Sequence, residues 1–320
     1  MFSSPKRKIE KYFRKNPQVK SIVVAGSYGR KSAIRALSAL LGETYLVTMG
    51  VNKNVQPDVV VLDYGSMSDF PDIQPDLTIV TSCRSDDEAK QFFEVANKSR
   101  KVLVNFSDVP QEYAKYLTNP EIITYGDELP ADFYFENHDF TIDGYTGDIV
   151  NPEREHIPAK LKILGEHNVR PLIMGVAVAK LFNVERQTIV KALEDIRPLN
   201  GRMQPCHGLQ NSIIIDDSAD TSDTSVYYGL RTIYALDAPS RIVVTDDLSK
   251  LGKFDESHID EVVILGAPVE QHIKGAKINF FATEVELVNY LGQHFEDKGI
   301  ILLEIPLPQI ISSRDWESAL

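Results

Sequence analysis

Short runs of β-branched and aliphatic residues alternate with stretches of helical spacing along almost the whole chain. In the first part this pattern predicts strands at Ser21–Ala25, Tyr45–Thr48, Asp58–Leu62, Leu77–Thr81, Lys101–Asn105 and Ile122–Tyr125. Helices are expected between several of them, at Lys31–Leu41 and Asp86–Asn97. Continuous apolar strands separated by helices indicate a parallel sheet covered on both faces, because a half-solvated strand would alternate instead. The stretch Asp132–Asp148 does alternate, with aromatics among polar and turn residues, and predicts an antiparallel hairpin appended to that sheet. Helices at Pro171–Phe182 and Val184–Ile196 follow, and the run Arg197–Gly201 breaks the pattern. A second α/β series then begins. It has strands at Ser212–Ile215, Arg241–Thr245, Val262–Leu265, Ile278–Phe281 and Ile300–Ile305, with helices at Thr224–Leu236 and Glu284–Phe295. The break near Asn200–Pro205 divides the chain into domains at 1–202 and 203–320.

Composition adds limits to this picture. A chain of 320 residues, 43% hydrophobic and 25% charged, is long enough for two domains with separate cores. No apolar run reaches about 18 residues, so no membrane-spanning helix is expected. The start, Met1–Lys15, is basic but lacks the apolar stretch of a secretion signal. Its spacing of Ile9, Tyr12 and Phe13 predicts an amphipathic helix docked on its own domain rather than on a membrane surface. Cys83 and Cys206 stand far apart, outside any metal-ligand spacing, and read as free thiols of a reducing, cytoplasmic compartment. A net charge of −12 without a basic stripe argues against nucleic acid as a partner.

The candidate chemistry begins after the first strand, at Gly26-Ser27-Tyr28-Gly29-Arg30-Lys31-Ser32. A strand, a glycine turn and a helix start aim backbone N–H groups and a helix dipole at an anion, and a lysine and a hydroxyl there can clamp phosphate and ligate Mg²⁺. The full pattern of two glycines before Lys-Ser is not met, since Arg30 precedes Lys31-Ser32. A tight turn that binds nothing is the plain alternative.

Taken with four further segments, this turn resembles the Mur ligase family, the ATP-dependent amide ligases of peptidoglycan precursor synthesis. Gly26-Ser27-Tyr28-Gly29-Arg30-Lys31 is similar to the family's G-[ST]-x-G-K-[ST]. Gly165-Glu166-His167-Asn168 resembles G-x-H-N before an Ala-rich helix, and Leu199-Asn200-Gly201-Arg202-Met203 resembles the element at the join to the last domain. Ile215-Asp216-Asp217-Ser218 and Thr245-Asp246-Asp247-Leu248, with Gly252 and His258, follow in the family's order. The members that add D-alanyl-D-alanine look nearest. The resemblance implies a P-loop-type, mostly parallel α/β domain followed by a smaller Rossmann-like domain.

It also implies the chemistry: ATP and Mg²⁺ convert a substrate carboxylate to an acyl phosphate, which an amino acid or dipeptide amine then attacks. By carry-over, Gly26–Ser32 would hold the phosphates, Asn168 the adenine, and Arg202 and Asp217 the rest of the nucleotide. Asp63 falls at a Mg²⁺-binding carboxylate of the family, with Ser32 as a second ligand, and Lys90 falls near its carbamylated lysine. Asp63 at a strand end and Lys90 on a helix face are equally at home in water. The chain departs from the family at Arg30, where the lysine stands, and at Lys31, where the hydroxyl stands. A slip of one residue would restore Lys31 and Ser32 to those places, and the two registers remain open at this level. The family histidine is missing from Thr81–Asp87, where Asp86 or Asp87 is an oxygen-ligand substitute, and the run Ala219–Asp223 replaces a family Asn-rich segment. The family's N-terminal domain for the nucleotide sugar is not expected ahead of residue 26. Two functions fit: an active Mur-type ligase, or a non-catalytic nucleotide-binding relative paired with a complete ligase or amidotransferase subunit.

Overall fold

In the computed structural model the apolar runs of the first part pair side by side as six parallel strands. They are β1 (Lys20–Ala25), β2 (Val47–Met49), β3 (Val59–Asp63), β4 (Leu77–Val80), β5 (Lys101–Asn105) and β6 (Ile122–Tyr125), in the order β2-β3-β1-β4-β5-β6. The structure describes residues 5–52, 54–66, 70–208, 211–219, 222–251, 258–268, 276–294 and 297–306. Asp220, Thr221, Gly252 and Phe295, named in the sequence patterns above, lie outside them.

Alternate residues of one strand point to opposite faces. Val23, Ala25, Val60, Leu62, Val80 and Val104 share one core with Ala89, Phe92, Phe93 and Ala96 of helix α3 (Asp86–Lys98). Helix α1 (Pro5–Lys15) joins this core through Ile9, with Tyr12 and Phe13 packed beside it. Ile22, Val24, Val59 and Val61, of the other parity, are buried as fully, so both faces are covered. Helix α2 (Arg30–Gly42) lies against β1 and β3 and packs on α5 (Arg186–Asp195). Gly175 of α4 (Glu166–Leu181) brings that helix within van der Waals reach of Ala36 and Leu40 of α2, where a side chain would crowd.

The appended hairpin is larger than the sequence pattern indicates. Strands β7 (Tyr134–Thr141) and β8 (Gly144–Val150) are joined by two residues, a connection open only to antiparallel strands, and β9 (His156–Leu161) completes a three-stranded sheet.

The second sheet has the order β10-β11-β15-β12-β13-β14. Its strands are β10 (Gln204–His207), β11 (Ile213–Asp216), β12 (Arg241–Thr245), β13 (Glu261–Leu265), β14 (Lys277–Phe281) and β15 (Ile300–Leu303). All neighbours are parallel except the edge pair β10–β11. Helix α6 (Asp223–Ala235) covers one face, with Val226, Leu230 and Ile233 against Ile215, Val243, Val262 and Leu302. Helix α7 (Glu284–His294) covers the other, with Leu287 and Leu291 against Ile214, Val244, Val263 and Ile301. This is a doubly wound α/β unit.

The chain forms two compact units. One comprises Met1–His138, Gly147–Ala159 and Asn168–Asp195; the other comprises Asp139–Thr146, Lys160–His167 and Ile196–Leu320. The mixed α/β architecture with a mostly parallel sheet agrees with the sequence pattern. No described helix is long and apolar enough to cross a membrane. Cys83 and Cys206 are both buried and reduced, and burial pushes their thiols up to about 12 and about 11.

Candidate functional site

Strand β1 ends at Ala25, and the next residue turns the chain with a φ of 148° at Gly26, which L side chains rarely adopt. A Cβ there would also run into Thr81 and the backbone of Ser82, which follow the neighbouring strand β4. Those two residues hold the turn. The N–H groups of Ser27 and Tyr28 donate to the Ser82 carbonyl (3.2 Å) and the Ser82 Oγ (2.9 Å). The Thr81 hydroxyl donates to the Tyr28 carbonyl at 2.5 Å. Gly29 then adopts a left-handed φ of 79° as the N-cap of α2, and its carbonyl accepts from the Ala33 N–H at 2.9 Å. The N–H groups of Arg30, Lys31 and Ser32 open the helix and have no intrahelical acceptor. A helix start of this kind favours an anion.

Helix α2 starts at Arg30, so Arg30 follows the left-handed glycine directly. Its side chain turns back across the turn. Nε donates to Asp63 Oδ1 at 2.9 Å, at the end of β3, and a terminal nitrogen donates to the Gly26 carbonyl. The same Asp63 oxygen accepts from the Gly65 N–H at 3.0 Å. A Cβ at Gly65 would run into the guanidinium, so the glycine leaves the space that Arg30 fills. Lys31 is exposed and Ser32 half-buried.

The outer side of the turn is tied to α3. Ser27 Oγ donates to Glu88 Oε2 at 2.6 Å, and the Arg84 N–H donates to the same oxygen at 3.0 Å. The Ser27 hydroxyl holds the Glu88 carboxyl below the usual carboxylate range, helped by the Arg84 N–H. A carboxyl lowered on folding contributes stability above its unfolded value and loses it as pH falls through the folded one. Glu88→Gln is therefore expected to be about 1 kcal/mol less stable than wild type at pH 7. Denaturant melts should show that difference closing in acid; a difference that grows there would contradict the assignment.

Tyr28 carries a longer connection. Its ring lies 5.1 Å from the Arg84 guanidinium, and its hydroxyl donates to Asp108 Oδ1 at 3.2 Å. Arg170 of α4 reaches the same carboxylate at 3.1 Å and grips Asp127 with Nε and a terminal nitrogen at 2.8 and 2.7 Å. Asn105 closes the group, donating to Asp108 Oδ2 (2.8 Å) and the Thr81 carbonyl (3.0 Å).

Of the residues singled out in the sequence, the structure gathers Gly26 to Ser32 and Asp63 in one place. Lys90 belongs to a different face of α3 from Glu88, two residues away on the helix. It pairs with Asp86 at 2.6 Å and with Asp87 at 3.7 Å, and the Asp86 hydrogen bond raises its pKa above the ordinary lysine value. Asp86, offered as a metal-ligand substitute, is held at about 2 by Lys90 and by the Tyr116 hydroxyl. Asn168 is half-buried in the first turn of α4. Arg202 and Asp217 belong to the second unit. There the buried Asp217 accepts from the Met203 N–H (3.0 Å) and the Ser225 hydroxyl (3.1 Å), and Arg202 is half-buried.

Mg²⁺ does not fit the turn as arranged. Asp63 already faces the Arg30 guanidinium, and a second cation on that carboxylate would meet like-charge repulsion.

No family model matches the chain. Among curated relatives, the UDP-N-acetylmuramoyl-L-alanyl-D-glutamate–2,6-diaminopimelate ligase of Bacillus cereus is 29% identical over 129 residues, 40% of this chain and 26% of that protein. The corresponding L-lysine ligase of Staphylococcus aureus is 28% identical over 133 residues, 42% of this chain and 27% of that protein. The chain thus matches about a quarter of the length of these relatives. They add diaminopimelate and lysine, so sequence similarity does not single out the D-alanyl-D-alanine type. In fold, the chain resembles the MurF ligase of Thermotoga maritima in complex with ADP, with a TM-score of 0.70 at 13% identity over 98% of this chain and 82% of that one. It also resembles the folylpolyglutamate synthetase of Lactobacillus casei, with a TM-score of 0.71 at 13% identity over 95% and 93%. The chain therefore has the fold shared by Mur ligases and folylpolyglutamate synthetase, and over about two fifths of its length its sequence is similar to that of curated Mur ligases.

Proposed function

We propose that the chain is an ATP-dependent acid–amino acid ligase of Mur type, acting in the cytoplasm on a cell-wall precursor. The observation that carries this reading is the turn itself: a β1–glycine–α2 junction at which α2 opens its first N–H groups, with the Arg30 guanidinium tied across it to Asp63 and the Gly26 carbonyl. In this reading a carboxylate oxygen of the acceptor attacks the γ-phosphorus of ATP and ADP leaves. The amine of an amino acid or dipeptide then attacks the acyl carbon and phosphate leaves, taking the bonding electrons of the C–O bond. The amine proton passes to solvent. The chain's part is electrostatic: helix N–H groups, Arg30 and Lys31 offset the charge spread over the phosphoryl oxygens. The resemblance assigns Asn168, of the same unit as the turn, to the adenine. UDP-N-acetylmuramoyl peptides, the substrates in the relatives' names, are the first acceptors to try. ADP release that requires both the acceptor and an amine is the expected result; ADP release with no such dependence, or none at all, would overturn the ligase reading.

A second reading is favoured by the Arg30–Asp63 pair and by Lys90, whose amine is held protonated by Asp86 and so is poorly placed for carbamylation. Here the chain binds nucleotide without turning it over and serves a complete ligase or an amidotransferase as a subunit. Tight ADP binding with no acceptor-dependent release distinguishes it.

A further inference from the structure

We infer that the Arg30 guanidinium is the resident cation of the phosphate turn, so that a nucleoside diphosphate binds there without a divalent metal. This rests on the reading of Gly26–Ser32 as a phosphate turn and goes further by naming the charge that meets the ligand. Three observations carry it. The guanidinium is fixed at the turn rather than free in solvent, by Asp63 at 2.9 Å on one side and by the Gly26 carbonyl on the other. It carries more N–H donors than those two partners use, in a planar fork suited to phosphate oxygens. Gly65 has no side chain at a place where a Cβ would run into it.

The same geometry removes the usual place for a metal. Three acidic side chains meet the turn, Glu88 at Ser27, Asp108 at Tyr28 and Asp63 at Arg30, and the Asp63 Oδ1 is already shared by Arg30 and the Gly65 N–H. Lys31, next along the helix, adds a second positive charge where a hydroxyl ligand would be needed. A divalent ion brought in with the nucleotide would face the guanidinium across the same carboxylate, and an ion pair already formed would have to break. The pair is therefore a substitute for the metal, not an addition to it. A nucleotide carrying its full negative charge suits this site better than its magnesium complex.

The test is a calorimetric titration of the full chain with ADP, once in EDTA and once in excess Mg²⁺. Affinity in EDTA is expected to equal or exceed that in Mg²⁺. Arg30→Ala should lower the affinity in EDTA tenfold or more. Arg30→Lys, which keeps the charge but loses the fork, should make binding respond to Mg²⁺. Gly65→Ala displaces the guanidinium without removing it and should weaken binding in EDTA, with thermal melts confirming that each variant is folded. ADP binding that requires Mg²⁺, or Arg30→Ala binding in EDTA as tightly as wild type, would overturn the inference. Absence of ADP binding in both buffers would overturn the phosphate-turn reading with it. Metal-free binding without any acceptor-dependent ADP release would remove the ligase reading and leave this inference standing.

Discussion

Replacement of Arg170 by alanine is expected to lower the stability of the first unit by about 3–5 kcal/mol, the cost of leaving buried charges without their partner. Its guanidinium is only 10% exposed and holds Asp108, itself 13% exposed, and Asp127. Removing it would strand a carboxylate in a place where water can scarcely reach, and burial beside the fully buried Tyr125 makes that environment poor at supporting charge. For a unit of this size the loss corresponds to a fall of roughly 10 °C in the melting temperature. Because Asp108 also accepts the Tyr28 hydroxyl, the loss should reach the phosphate turn, with a weaker ADP titration at temperatures where the variant is still folded. Arg170→Ala combined with Asp108→Asn should recover part of the stability. An unchanged melting temperature in the single variant would show that the network carries no net stabilisation.

Gly26→Ala is the second large effect. The residue needs a φ of 148°, and an added methyl would meet the Thr81 hydroxyl and the Ser82 backbone, neither of which can retreat without breaking the hydrogen bonds that form the turn. Backbone strain and the clash together are expected to cost about 3 kcal/mol or more and to abolish ADP binding. Gly29→Ala is a milder comparison: its φ is also positive, but its Cβ would meet Thr81 atoms only at 3.6 and 3.7 Å, an ordinary contact. The two variants thus separate strain alone from strain with collision. Equal ADP affinity in Gly26→Ala and wild type would mean that the turn is not the nucleotide site.

The strands were legible because a parallel sheet buried on both faces demands unbroken apolar runs, and Val59–Leu62 and Leu77–Val80 carry no competing signal. The missed strands are those whose burial depends on partners. His156–Leu161 alternates buried and exposed positions, but the proline at its third position argues against a strand. Gln204–His207 is a polar edge strand containing Pro205. Helix α4 begins at Glu166, ahead of the expected Pro171: the proline stands inside the helix as its sixth residue, where it forgoes one intrahelical N–H bond, and for that reason it reads in the sequence as a helix start. At the site, the turn could be read from its glycines, and the helix start shows that Arg30 follows Gly29 directly. What could not be read is what holds the turn. Ser82, Glu88 and Arg170 bond to residues 54, 61 and 62 positions away, and no local pattern encodes such contacts. The Thr81-Ser82 pair was visible as a sequence segment, but its hydroxyls serve the backbone of the turn.

The most direct measurement is a set of amide ¹H–¹⁵N spectra of the isotopically labelled chain with increasing ADP. If the anion rests on the start of α2, the N–H signals of Arg30, Lys31 and Ser32 move first and saturate together with the Arg30 side-chain Nε–H. Signals of these residues that stay still while others titrate would contradict a phosphate site at Gly26–Ser32.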